Sequence, residues 1–401
     1  MQTCTGVLSI VTTEGKLHID MNWDGATANA VAVRSSRPLQ ASRLTIGKPV
    51  QDAVDTVPLL FSVCGRAQGV AAVMATEAAL GIEVAGLLRA VRARLIIGEA
   101  IQEHLWRILL DWPRQTGIQP RVPLMTELCA GIGQVAKPLI ATGGWKTIGG
   151  RPDADYDGVW LAFSRALKNA LRREVFGCDP AQWLELGTQQ EFEAWYGKTG
   201  TLAAEILRNL AQCARFGASK VAAMPRPDGI WLQEIAEAMQ GDAAFSQQPN
   251  WQGAALETGA LARQRQHPLL RALTATEGNS VFTRVVARLI ELTRLANAMR
   301  AVPDNARAGW IGSQSLGKGV GIAWVETARG LLMHRVASDG SRIIDYRTIA
   351  PTEWNFHANG ALVQGLRGMP AASGAVARSK AEWLVQSLDP CVAYEIRVQQ
   401  A

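Results

Sequence analysis

Two cysteines stand in contexts that suit metal chemistry. The run SLDPCVAYEIRVQQA near the chain end places Cys391 directly after Asp389 and Pro390. Asp is a good helix N-cap and Pro suits the first helical position, so the triplet predicts a terminal helix beginning at Asp389. Cys391 would then lie in its first turn, where the helix dipole favours the thiolate that binds metals. Taken alone, the segment also fits a small buried cysteine in a capped helix. Upstream, FSVCGRAQGVAAVMATEAALG puts Cys64 before a run of helix formers, again at a helix N-terminus. A Cys-x-x-Cys pair would need second cysteines at positions 67 and 394, which are Ala67 and Tyr394.

Composition bounds the rest. The 401 residues are 48% hydrophobic and 19% charged, which is globular and large enough for a core that needs no disulfide or metal staple. The net charge of +6 is mild, and no dense Lys/Arg run points to nucleic acid. Arg89, Arg92 and Arg94 read as a solvated helix face. The six cysteines form no Cys-x-x-Cys pair. The first residues show no secretory pattern, and no apolar run reaches the ~18 residues of a membrane span. A cytoplasmic protein with reduced thiols is expected.

The elements that must position these cysteines follow from patterning. VLSIVTT, KLHIDMNW and NAVAVRS are short, β-branched and separated by EG and DGAT turns, so the first 35 residues predict strands. From about 51 to 300 the pattern is helical. Val84, Leu88, Val91, Leu95, Ile101, Leu105 and Ile108 mark one long helix ending near Pro113. SVFTRVVARLIELTRLANAMRA marks a second, with MPRPDG and GDAAFSQQPNWQG as loops. Strands return after 305 as GVGIAWVE, GLLMHRVAS and SRIIDYRTI, with Asp339-Gly340 as a hairpin turn. Two short helices follow, the last starting at Asp389.

In order, TEGKLHI, CGRAQGVAA, VETARGLLMHRVASDGSRIIDYRTIAPTEWN and SLDPCVAYEIRV resemble the motifs of the [NiFe]-hydrogenase large subunit. That family has an Arg-Ile-Glu-Gly-His start, Cys-Gly-x-Cys-x-x-x-His, Glu-Ala-Pro-Arg-Gly, Pro-Thr-Thr-Trp-Asn and a closing Asp-Pro-Cys-x-x-Cys-x-x-His. Both chain ends match well and the middle loosely. The resemblance implies an α+β, mainly helical fold. It would be a long-helix bundle with small flanking β-sheets built from both chain ends. The single domain, 1–401, would divide into an N-terminal β segment (1–50), a helical body (51–304) and a β segment with C-terminal helices (305–401).

The departures carry the functional expectation. In the family, four thiolates hold nickel and iron, and the second Cys of each pair bridges them. Those positions are Ala67 and Tyr394 here, and the His closing each motif is Ala71 or Arg397. No nickel and no hydrogen activation are expected, so the protein is not expected to be an enzyme. Arg329 and Thr352 stand where the family hydrogen-bonds the two cyanides of its Fe(CN)2(CO) unit, though Ala328 replaces the family's Pro. A buried cyanide wants such charge-assisted donors. Glu14 matches the family's proton-transfer Glu and reads as a structural remnant. His334 and His357 read as neutral histidines of a strand and a loop, with extra metal ligation as the alternative. The chain stops at Ala401, so no C-terminal extension is expected to be cut.

Together these features resemble the HupK/HoxV-type hydrogenase accessory proteins. The resemblance implies a maturation scaffold that transiently holds Fe(CN)2(CO) through Cys64 and Cys391, with Arg329 and Thr352 anchoring cyanide. The cargo would pass to a hydrogenase large-subunit precursor. HypC/HypD-type maturation chaperones are the other implied partners, with neither nucleic acid nor membrane insertion. The alternative is a metal-free interaction protein that mimics the large subunit and recruits those chaperones. A nickel or zinc carrier is disfavoured by the few His and the missing Cys pairs.

Overall fold

A computed structural model describes residues 15–37, 41–61, 64–141, 144–151, 157–213, 215–242, 244–298 and 309–400. Glu14 and VLSIVTT lie outside them. The arrangement is that of a helical body with small sheets drawn from both chain ends. The strands are β1 (Lys16–Trp23), β2 (Thr27–Ser35), β3 (Ala222–Ala223), β4 (Leu256–Glu257), β5 (Ile311–Gly317), β6 (Val320–Thr327), β7 (Gly330–Ser338), β8 (Ile343–Ile349), β9 (Met369–Pro370) and β10 (Ala393–Gln400). One sheet has the order β10-β1-β2-β9, so the last strand closes onto the first. A second is the meander β5-β6-β7-β8, and β3 and β4 form a parallel pair.

β1 alternates buried and half-buried residues, as KLHIDMNW predicts. Its turn into β2 is fixed by Asp24, which accepts the Ala26 and Thr27 N–H groups. Asp339 plays the same part between β7 and β8, accepting from Ser341 N and Arg342 N.

The principal helices are α1 (Gly65–Leu80), α2 (Gly86–Trp106), α3 (Val122–Ala141), α4 (Val281–Ala298), α5 (Pro351–Asn355) and α6 (Gly374–Leu388). α1 is buried on every side from Ala67 to Ala79, so it has no polar stripe. Its Ala, Gly and Val residues let the β5–β8 sheet approach closely. At Gly321 on β6, an added Cβ would sit 2.3 Å from Ala75 O and Ala79 N.

Three expectations need correction. The helix through Ile108 does not stop near Pro113: α2 continues through a π-helical turn, Arg107–Asp111, to Thr116 and the left-handed Gly117. Pro113 falls in the first turn of that last segment, where a missing N–H is tolerated. Val84 precedes the helix, which starts at Gly86. Of the supposed solvated arginines only Arg89 is exposed; Arg92 is buried and donates to Glu77 at 2.6 and 2.9 Å.

The third correction concerns the tail. No helix begins at Asp389. α6 ends at Leu388, and Ala393–Gln400 forms a strand parallel to β1, with Leu17 opposite Tyr394. Pro390 cannot continue α6, and Tyr394, Ile396 and Val398 pack on the core from β10.

Replacing Gly321 by Val should cost about 3 kcal/mol, because the overpacked backbone of α1 cannot retreat. Urea unfolding of the two proteins measures the difference, and equal midpoints would contradict the close packing.

Candidate metal site

Cys64 is the N-cap residue of α1, as its sequence context predicts. Its carbonyl accepts Gln68 N at 2.9 Å, and its sulfur faces the Gln68 amide, Nε2 to Sγ 3.6 Å. Glu99, from α2, accepts the N–H groups of Arg66 (3.2 Å) and Ala67 (3.0 Å). Ala67 thus takes part through its backbone N–H. Burial pushes the Cys64 thiol up to about 12, with Cys391 and Glu99 adding to the push and Gln68 and Arg329 opposing it. The effect of Cys391 means that the two thiols share one electrostatic environment. Burial also raises Glu99 to about 7.

Cys391 follows α6 rather than opening a helix. Asp389 is the C-cap of α6, with φ 59° and ψ 78°, and its N–H donates to Val385 O at 2.7 Å. Left-handed backbone is uncommon for a non-glycine residue. The fully buried carboxylate holds it there. Arg107 donates Nε (3.0 Å) and Nη2 (2.6 Å) to Oδ1, and Arg288 donates Nη1 to Oδ2 at 2.8 Å. Arg329 Nε lies 3.4 Å from Oδ1. Burial alone would raise the Asp389 pKa, but these three arginines hold it far below the usual carboxylate range. The feature read as an N-cap is an arginine receptor, and Cys391 does not lie in the first turn of a terminal helix.

Arg329 is buried in the tight β6–β7 turn. Its N–H donates to Thr327 Oγ1 at 3.1 Å, and its Nη2 to Glu103 Oε2 at 2.6 Å. Its Nε has no hydrogen-bond partner among the described residues. Burial opposes its charge, but Asp389, Glu103, Cys391 and Cys64 raise its pKa overall. Gly330 completes the turn at φ 130°, where a Cβ would meet Thr258 at 2.4 Å. Asn355, at the end of α5, accepts Thr258 N and donates to Thr258 O and Arg329 O, tying α5 to that turn.

Thr352 lies in the first turn of α5, against Cys391. Its Oγ1 accepts Cys391 N–H at 3.2 Å and stands 3.1 Å from Sγ. Arg37, just after β2, forms another wall. It donates to both Glu353 oxygens at 3.2 and 3.3 Å and lies over the Phe61 ring at 5.6 Å. Burial opposes its charge, but Cys391, Glu353 and Cys64 raise its pKa. Two buried guanidinium groups thus feel both thiols.

The structure therefore brings together Cys64, Cys391, Arg329 and Thr352. Glu14 lies outside the described residues. His334 is fully buried, with Nδ1 2.8 Å from Tyr346 OH and Nε2 2.9 Å from Gln68 Oε1. Both ring nitrogens are engaged, and burial lowers its pKa to about 3. His357 Nδ1 accepts Asn359 N at 3.0 Å in a local turn. Among the described residues, no three His, Cys, Asp or Glu side chains group closely enough to hold a metal. No described helix is long and apolar enough to cross a membrane. Sequence reasoning missed Arg37, Gln68, Glu99 and Glu103. Only Gln68 carried a signal, four residues after Cys64 on one helix face.

No family model matches the sequence. The hydrogenase expression/formation protein HoxV of Cupriavidus necator is 32% identical over 381 residues, 92% of this chain and 93% of that protein. HupK of Azotobacter vinelandii, also a hydrogenase expression/formation protein, is 29% identical over 96% of this chain and 99% of its own. The chain belongs to the HoxV/HupK family of hydrogenase expression/formation proteins. Its fold is that of the [NiFe]-hydrogenase large subunit. The Ni-Fe-Se hydrogenase of D. vulgaris Hildenborough superposes with TM-score 0.61 at 16% identity, over 92% of this chain and 94% of that one. A NAD+-reducing [NiFe]-hydrogenase gives 0.54 at 18% identity. In this HoxV/HupK protein, the residues three places after Cys64 and Cys391 are a buried helical alanine, Ala67, and a strand tyrosine, Tyr394.

Asp389→Asn should cost about 3–5 kcal/mol, since three buried or half-buried arginines lose their common counter-charge. The folded pKa of Asp389 lies below its ordinary 3.8, so its contribution is full above that value and fades as pH falls further. Denaturant titrations should show the parent–variant gap constant from neutral pH to about 4 and shrinking in stronger acid. A pH-independent gap would contradict the ion-pair origin.

Proposed function

We propose that this protein is a non-catalytic scaffold of [NiFe]-hydrogenase maturation that holds an Fe(CN)2(CO) unit as cargo between Cys64 and Cys391. The observation that carries the reading is that two buried thiols act electrostatically on each other and on the same two buried guanidinium groups, Arg37 and Arg329. A bare metal ion would want three or four protein ligands. A cargo that brings two cyanides and a carbonyl with it needs only the two thiolates, and its negative nitrogens need donors.

The residues divide the work. Cys64 and Cys391 supply sulfur. Arg329, whose Nε makes no hydrogen bond among the described residues but only a 3.4 Å ion pair with Asp389, would offer its guanidinium charge to an anionic ligand. Thr352 takes the Cys391 N–H, which leaves its hydroxyl hydrogen for the sulfur or for cyanide. With Ala67 and Tyr394 at the bridging positions, the iron would sit displaced toward Cys64 and Cys391, or a partner would complete its ligand shell. Two thiolates in place of four give a weaker site, suited to handing the iron on to a large-subunit precursor. HypC/HypD-type chaperones are the proposed donors, in the cytoplasm.

The other reading is a metal-free mimic of the large subunit that recruits those chaperones. Cells carrying Cys64→Ala/Cys391→Ala in place of the parent separate the two. The scaffold predicts loss of hydrogenase maturation with the variant folded and present at parental abundance. Undiminished maturation would favour the recruiter.

A further inference from the structure

One buried chain of polar groups has no part in the reading above. It runs from Tyr346 OH to His334 Nδ1 (2.8 Å), from His334 Nε2 to Gln68 Oε1 (2.9 Å), and from Gln68 Nε2 to Cys64 Sγ (3.6 Å). Its members come from β8, β7 and α1, and each is almost completely removed from solvent. Such a chain is high-stakes, because any unmatched member would cost its full desolvation.

Donor and acceptor chemistry gives the chain a direction. The Gln68 NH2 group faces the Cys64 sulfur in the structure, the orientation that an acceptor-only thiolate also requires. The Gln68 carbonyl then faces His334 and needs an N–H, so His334 carries its proton on Nε2. Nδ1 is left as an acceptor, and the Tyr346 hydroxyl donates to it. Reversing the chain would aim the Gln68 carbonyl at the sulfur and repel a thiolate.

We propose that Tyr346, His334 and Gln68 are positioning residues that fix an amide N–H on the Cys64 sulfur and so present it as an acceptor-only ligand. The His334 ring thereby acts on the ligand through Gln68 rather than as a ligand itself. The consequence for iron rests on the scaffold reading; the chain's direction does not. A hydrogen bond to a ligating sulfur tunes the metal it binds.

The first test uses metal-free, full-length protein. Nitrogen NMR of the five histidines, with His334 assigned by His334→Gln, reads the tautomer directly. Protonated Nε2 with bare Nδ1 is expected; protonated Nδ1 would overturn the proposal. The second test loads the protein in cells with the maturation machinery. Gln68→Leu should weaken iron retention about tenfold, the scale on which groups behind a ligand act. The carbonyl stretch of the iron that remains should move to lower wavenumber as the sulfur donates more strongly. Tyr346→Phe, which removes one oxygen at the far end, should give the same changes in smaller measure and keeps the test informative if Gln68→Leu fails to fold. Unchanged retention and carbonyl stretch in a folded variant would overturn the proposal. An iron-free parent with the Nε2–H tautomer would remove the cargo reading while leaving the chain's direction intact.

Discussion

The buried carboxylate of Asp389 is the interaction on which the site depends. It binds Arg107 beyond the end of α2, Arg288 in α4 and, at longer range, Arg329 in the β6–β7 turn. Three separate stretches of chain meet at one residue, two positions before Cys391. The network extends through Arg288 to His104, from His104 to Glu291 at 2.9 Å, and from Glu291 to Arg263. Charges this deep cost several kcal/mol each to desolvate, and the arrangement is tolerable because nearly every one has a partner. The same constraint holds Asp389 in left-handed backbone and turns the chain from α6 toward β10.

Around that anchor the candidate site is built in two halves. The Cys64 half belongs to α1, whose small residues let the sheet close over it. The Cys391 half belongs to the turn between α6 and β10, latched by Thr352 of α5. Parallel pairing of β10 with β1 brings the two chain ends together and sets Arg37, just past β2, beside the thiols. Glu99 accepts the first backbone N–H groups of α1, at Arg66 and Ala67, and Tyr394 packs as a strand residue.

Much of this was legible in the sequence. The β1–β2 hairpin, α4 and the β6–β8 strands follow from periodicity and turn residues. Cys64 at a helix N-terminus follows from the helix formers behind it. The tail was misread because Asp-Pro is as good after a helix as before one. Only the three arginines, each remote in sequence, decide which way Asp389 faces. Arg37 and Glu103 were invisible for the same reason: neither lies in a motif, and long-range pairing gives them their place. His334 could be recognised as a neutral strand histidine, but not as one end of a path to Cys64.

The most direct measurement is iron content and an infrared spectrum of the parent protein, purified without oxygen from cells that express the maturation machinery. The scaffold account predicts bound iron with metal-cyanide and metal-carbonyl bands, both lost when Cys391 is replaced by Ala. Folded parent protein that carries neither iron nor those bands would contradict it.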